Sequence, residues 1–350
     1  MHSERENFLR ALEFRYPQWI PVRTRILPAT WYKYRDELHL LVSDHGTVFS
    51  GPDAQVTDYE SVPVAFRKGE YVRDNWGCLW YAAQHGLLGR VLEHPLADWG
   101  SLEAYVAPDP LHKTDFGEQD WQSVRKQMSE DCHYGRVTEG SGGRLFDLLY
   151  ALRGYENLMV DFASGAPQLP ELIDLVLKQK MKLVALWSEI GVDLMSFHGD
   201  IGTQRGLMIS PEHFREYIKP MYKQIFSACR RAGAHVFYSC DGNILEIVDD
   251  LIECGVTLHD PQYGAHTLQG IKDAYGGKIC VAVDLDQQHI LPFGTVQEVR
   301  DLVRSVVDAL ARPEGGLMIY AEIQPTYPLA NIAALAQALR QYCLPDCSGH

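Results

Sequence analysis

Acids, imidazoles, arginines and one thiol recur wherever a short apolar run of this chain comes to an end. His198 and Asp200 close the run Asp193-Leu-Met-Ser-Phe-His198, and Cys240 and Asp241 close the run that starts at His235. His259 and Asp260 end Thr257–Pro261, Asp284 and Asp286 follow Ile279, and Glu322 ends the run from Leu317. Arg23 and Arg25 lie inside Ile20–Leu27, and Glu139 lies in Arg136–Gly140. Carboxylates and imidazoles are the usual general acids and bases. A Cys, a His and a Glu meeting at one point would suit zinc, which accepts S, N and O ligands. Each residue alone also has a plainer reading. Asp200, Asp241 and Asp260 all stand beside Gly or Pro, so any of them could be a turn former. A single His or Cys at the end of a strand is commonly packing. The joint occurrence at successive run ends is what points to a site.

The elements that must position these residues alternate regularly. Apolar runs of strand length are each followed by a segment of helical periodicity: a helix opened by Ser210-Pro211-Glu212, then Ile244–Glu253, Leu268–Tyr275, Val296–Leu310 and Leu329 to about Tyr342. Upstream come a strand over Arg136–Gly140, the run Phe146–Leu152 and a helix from about Leu169 to Ile190. The first strand falls at Ile20–Leu27, and Thr47–Ser50 is the choice for the eighth. Runs apolar throughout, rather than alternating, are those of parallel strands buried on both faces. Eight such units predict a (β/α)₈ TIM barrel, whose strand ends converge on one mouth. A doubly wound open sheet is the rival, but no Gly-x-Gly-x-x-Gly and no Gly-Lys-Ser/Thr loop occurs.

Residues 51–115 fit neither element type and are rich in Pro, Gly and aromatics, so they read as a long excursion over the barrel mouth with a hairpin at Tyr71–Ala82. Trp31 follows the first strand, Trp76 and Trp80 lie in the excursion, and Tyr155 comes after the third strand. Such aromatics either wall an apolar pocket for a flat or methylated ligand or pack the excursion down.

The 350 residues carry a net charge of -14, which argues against nucleic acid as a partner. No apolar run approaches the ~18 residues of a membrane span, and the opening Met1-His2-Ser3-Glu4-Arg5-Glu6 lacks the order of a secretory signal. Eight cysteines, Cys347 among them, are scattered without Cys-x-x-Cys spacing, which reads as a reducing cytoplasm with mostly structural thiols. The oligomeric state is left open.

Several blocks together resemble the uroporphyrinogen decarboxylase superfamily, and within it the branch that includes corrinoid-dependent methyltransferases. They are Gly199-Asp-Ile-Gly-Thr-Gln204, Ser210-Pro-Glu-His-Phe-Arg215, Tyr238-Ser-Cys-Asp-Gly-Asn243, Asp260-Pro-Gln262, Leu291-Pro-Phe-Gly-Thr295, Gly315-Gly316 and Pro328-Leu-Ala-Asn-Ile332. Glu4–Ala11 is similar to the family's opening helix. The resemblance spans nearly the whole chain and implies a single barrel domain over residues 1–350.

True decarboxylases of this family carry Arg-Gln-Ala-Gly-Arg after the first strand; here the stretch reads Arg23-Thr-Arg-Ile-Leu-Pro-Ala-Thr-Trp31. The methyltransferase relatives bind zinc through His-x-Cys at one strand end and a Cys at the last. Here Cys240 matches the first Cys, Tyr238 stands in the place of the His, and Glu322 lies near the last Cys. The resemblance therefore implies a methyltransferase working between a small methylated compound, such as an aromatic methyl ether, and the cobalt of a separate corrinoid protein. No Asp-x-His-x-x-Gly cobalamin signature occurs in this chain. His198, Asp200 and Asp241 are expected as acids. Arg23, Arg25, Trp31, Trp76, Trp80, Tyr155, Tyr238 and His259 are expected to line the substrate, and Cys240 and Glu322 to hold a zinc ion. The competing expectations are a decarboxylase or other carboxylate-handling lyase using Arg23, Arg25 and Asp200, and a ligand-binding barrel without catalysis.

Overall fold

A computed structural model describes residues 2–51 and 54–345 of the chain; Met1 and Cys347 fall outside the described residues. Ten strands occur among them: β1 Val22–Ile26, β2 Tyr71–Arg73, β3 Leu79–Tyr81, β4 Arg90–Glu93, β5 Glu139–Arg144, β6 Leu194–His198, β7 His235–Ser239, β8 Leu258–His259, β9 Cys280–Asp284 and β10 Leu317–Ile323. The chain divides into two compact units. The first holds residues up to Glu70, Ala82–Gly89 and everything from Asp260 on; the second holds Tyr71–Tyr81 and Arg90–His259.

In the first unit β10 lies between β1 and β9, all parallel, with Arg25 opposite Glu322 and Arg23 opposite Tyr320. Every residue of β9 is buried, as a strand covered on both faces requires. Helices Val296–Leu310 and Leu329–Tyr342 pack against each other. The former begins at a capping box, in which the Thr295 hydroxyl accepts from Glu298 N and the Glu298 carboxylate accepts from Thr295 N.

In the second unit β5, β6, β7 and β8 follow one another in parallel order. Leu194–Phe197 are all buried, and Phe197 alone contributes about 2–3 kcal/mol by leaving water. Helix Leu169–Ile190 packs against β5, and Lys219–Arg231 against β7. Ser210 caps its helix as the sequence predicts, its hydroxyl accepting from His213 N at 3.2 Å. The hairpin expected at Tyr71–Ala82 forms from β2 and β3, and β4 adds a third antiparallel strand.

Seven parallel strands, each followed by helix, give an α/β fold of the barrel kind. Two expectations need correction. The eighth strand placed at Thr47–Ser50 is absent. Val48 N and Phe49 N both donate to His45 O, at 2.8 and 3.1 Å, so the backbone turns off the end of helix Pro28–Asp44. Val48 and Phe49 are buried; their apolarity marked burial and not pairing. The strand expected over Arg136–Gly140 runs from Glu139 to Arg144 instead. Its Gly-Ser-Gly-Gly centre reads locally as a turn, yet a Cβ at Gly142 would lie 2.0 Å from the Phe197 ring. Glycine is there because β6 brings a phenyl ring against the β5 backbone. Among the described residues no helix is long and apolar enough to cross a membrane.

Candidate active site

The second unit gathers a set of buried and half-buried charged side chains. The turn joining β2 to β3 is tied by its own acid: Cys78 N donates to Asp74 Oδ1 at 2.8 Å, and Trp80 Nε1 donates to Asp74 Oδ2 at 2.8 Å. Arg144, at the end of β5, lies 3.5 Å from Asp74 and over the Trp80 ring at 5.1 Å. Its Nε donates to Asp115 Oδ2 at 3.1 Å, while Trp76 Nε1 donates to Asp115 Oδ1 at 2.9 Å. Burial pushes the Asp115 carboxyl up, but Arg144, Lys180 and the Trp76 indole outweigh it and hold the group below its usual range. Asp74 goes the other way, raised by burial despite Trp80, the Cys78 amide and Arg144.

Asp147 lies two residues beyond the point where β6 meets the end of β5, where Leu145 N donates to His198 O at 2.7 Å. Its Oδ1 accepts from Leu145 N at 3.1 Å, and the side chain is buried. Burial pushes this carboxyl up to about 7; Arg144 pulls it down and the negative charge of Asp200 adds to the rise. Asp147 is thus an acid poised near neutrality, with Asp200 close enough to feel its charge.

The ends of β6 and β7 carry the residues expected from sequence. Asp200 Oδ1 accepts from Asp241 N at 3.0 Å, so the two strand ends are tied together. Asp241 and His198 are exposed and Asp200 half-buried. Cys240 is buried, its thiol donating to Asp241 O at 3.3 Å. Nearby, the half-buried Tyr150 has its phenol raised mainly by burial, with the charges of Asp147 and Asp200 adding to the rise.

Other expected residues take structural places. Tyr238 is fully buried; its hydroxyl donates to Gly199 O at 2.5 Å and lies 3.3 Å from the Tyr222 hydroxyl. His259 is buried, with Nδ1 2.7 Å from Tyr238 O and its ring stacked on Tyr238. Trp76 and Trp80 are buried and spend their indole N–H groups on Asp115 and Asp74. Tyr155 is exposed, edge-on to Tyr150.

The remaining expected residues belong to the first unit. Arg25 Nη1 is 3.7 Å from Glu322 Oε2, the guanidinium exposed and the carboxylate mostly buried. Burial raises the Glu322 carboxyl, with Arg25 and Gln324 opposing. Gln324 Nε2 also donates to Gln287 Oε1 at 2.5 Å, and Gln287 donates to Asp284. Arg23 lies over the Phe8 ring at 5.9 Å, and Trp31, buried, stacks on Tyr59 at 6.0 Å.

The resemblance offers Cys240 and Glu322 for zinc. Cys240 and Glu322 belong to different units, and the place of the relatives' histidine holds Tyr238, whose hydroxyl is spent on Gly199. Among the described residues no group of three or more His, Cys, Asp or Glu side chains is arranged to hold a metal ion.

Sequence reasoning missed Asp74, Asp115, Arg144, Asp147 and Lys180. A signal existed for two of them: Arg144 and Asp147 flank the end of β5, one residue past the Gly-Ser-Gly-Gly stretch and three residues further on. No local pattern marks the other three.

The sequence model described as uroporphyrinogen decarboxylase (URO-D) matches residues 139–342, which run from β5 to the last helix. No curated protein matches the chain. Among solved structures, a methyltransferase from Methanosarcina mazei overlaps with a TM-score of 0.70 at 16% identity, over 98% of this chain and 99% of that one. At that identity the likeness establishes a shared fold. A dihydropteroate synthase from Yersinia pestis reaches only a TM-score of 0.36 at 15% identity, over 59% of this chain and 70% of its own. With the family match covering more than half of its length, the chain belongs to the uroporphyrinogen decarboxylase family.

Proposed function

We propose that the protein is a methyltransferase that moves a methyl group between a small methylated compound, an aromatic methyl ether being the leading donor, and the cobalt of a corrinoid carried by a separate protein. The observation that carries this reading is Asp147, a buried carboxyl raised to about 7 beside Asp200 at the ends of parallel strands. The likeness of fold to a methyltransferase over almost the whole chain supports it.

Breaking a methyl–oxygen bond leaves an electron pair on oxygen, and an alkoxide or phenoxide is a poor leaving group without a proton. A reduced corrinoid on the partner protein would supply the electron pair for the new bond to carbon. The chain's part is to deliver the proton and hold the ether in line. A carboxylic acid titrating near 7 is suited to giving that proton at neutral pH. Asp147 acts as the acid; Asp200, half-buried and fixed by the Asp241 amide, passes the proton between Asp147 and solvent. Arg144 at the end of β5 stabilises the Asp147 carboxylate left behind. The exposed Asp241 and His198 form the rim at which the corrinoid protein approaches.

The test mixes the purified protein with a reduced corrinoid protein and a panel of methyl ethers, and follows the cobalt absorption. Methyl transfer should occur with at least one donor and slow as pH rises through about 7. No transfer with any donor would remove the reading. Release of carbon dioxide from a porphyrinogen would put the chain with the family's decarboxylases instead, the second reading that the family match supports.

A further inference from the structure

On the flank of β5 in the second unit lies a cavity of about 360 Å³, separate from the strand-end acids. Three aromatic side chains wall it: Trp76, Phe116 and Trp187. Two neighbours on helix Leu169–Ile190, Gln179 and Lys180, supply polar atoms to it. Lys180 is 2% exposed and borders the cavity. Its nearest compensation is the Trp76 ring, 5.7 Å away, and the charge of Asp115. Both Asp115 oxygens are already engaged, by Trp76 and Arg144. Gln179 is 9% exposed, and its Oε1 is buried with no hydrogen-bond partner. The backbone makes room for the ammonium: at Gly143, with φ +72°, a Cβ would stand 3.0 Å from Lys180 Nζ.

Buried polar groups in native proteins are nearly always hydrogen-bonded, and one left without a partner, as Gln179 Oε1 is, is costly to keep from water. Here a cationic donor and a neutral acceptor, adjacent in sequence, both border one aromatic-walled cavity. An acceptor demands a donor and an ammonium demands an anion, while indole and phenyl walls favour a flat apolar body. We propose that this cavity binds a flat aromatic carboxylate bearing a hydroxyl group. Its carboxylate accepts from Lys180 Nζ, its hydroxyl donates to Gln179 Oε1, and its ring lies among Trp76, Phe116 and Trp187. Lys113 and Phe116, both partly exposed, also line the cavity. Burial lowers the Lys180 ammonium to about 8, Asp115 opposing and Arg144 adding to the effect; the amine is still charged at neutral pH.

The experiment titrates the whole protein at pH 7 with 3- and 4-hydroxybenzoate, benzoate and phenol, following tryptophan emission from the two indoles in the wall and checking by calorimetry. At least one hydroxybenzoate should bind saturably, roughly tenfold more tightly than benzoate and than phenol, the ratio one buried hydrogen bond supplies. Lys180→Met should weaken the hydroxybenzoate at least tenfold. Gln179→Leu should abolish the preference for hydroxybenzoate over benzoate while leaving benzoate binding in place. No saturable response to any of the acids, or phenol binding as tightly as the acids, overturns the proposal. So does hydroxybenzoate binding that neither substitution changes. The ligand series on the unaltered protein and Gln179→Leu keep the idea testable should Lys180→Met fail to fold. Methyl transfer is not among the readouts, so failure here leaves the reading of the strand-end acids standing.

Discussion

Replacing Asp147 by Asn isolates the cost of holding a carboxyl group in the interior. In the folded chain this group titrates at about 7, against 3.8 for an ordinary aspartate. The folded protein therefore keeps the proton over a range in which the unfolded chain has lost it. Below about pH 4 both forms are protonated and the group costs nothing. As pH rises from about 4 to 7 stability falls, and above 7 the full penalty is present. Three pKa units correspond to roughly 4 kcal/mol.

Asparagine keeps the oxygen that accepts from Leu145 N and has no charge to bury. Arg144 loses one counter-charge but keeps Asp115 at 3.1 Å and Asp74 at 3.5 Å. Urea unfolding of both proteins at pH 4, 6 and 8, read by circular dichroism, should show no difference at pH 4. At pH 8 Asp147→Asn should be the more stable by about 1–4 kcal/mol. A variant less stable at pH 8, or a difference that does not change with pH, would refute the assignment of a neutral buried acid. The same variant should lose most of the methyl transfer that the acid supports.

Asp200→Asn should lower the transfer rate by about 10²-fold or more, the usual contribution of a general acid or relay, with unfolding midpoints little changed. Asp241→Asn, at an exposed position, should act mainly on the apparent affinity for the corrinoid protein, read from the rate against its concentration. Gly142→Ala must push a methyl group into Phe197, 2.0 Å away, and should destabilise by about 1–3 kcal/mol in thermal unfolding. Arg153 donates from Nε to Asp161 Oδ2 at 2.7 Å and from Nη1 to Leu96 O at 3.0 Å, both buried partners. Arg153→Met leaves Asp161 charged and uncompensated, so a loss of about 3–5 kcal/mol is expected; wild-type stability in that variant would show that the pair contributes nothing.

What the sequence determined by itself was whatever acts over a few residues. Helices Leu268–Tyr275, Val296–Leu310 and Leu329–Tyr342 stand where their periodicity and punctuation put them, because a 3.6-residue stripe and a cap are local properties. Strands β6, β7, β9 and β10 followed from apolar runs, and their polar ends from the geometry of parallel sheet. Where a run's apolarity came from burial alone, as at Val48 and Phe49, the same signal named a strand that does not form. The meeting of Asp74, Asp115, Arg144, Asp147 and Lys180 was decided only by the tertiary structure, since they come from a hairpin turn, a loop, a strand end and two helices. Lys180, in the run Leu177-Lys-Gln-Lys-Met-Lys182, looks like one of several solvated charges on a helix surface. A side chain's type does not say how much water surrounds it. Burial sets whether a lysine or an aspartate is an ordinary surface charge or a poised, costly group, and burial exists only once distant segments have packed.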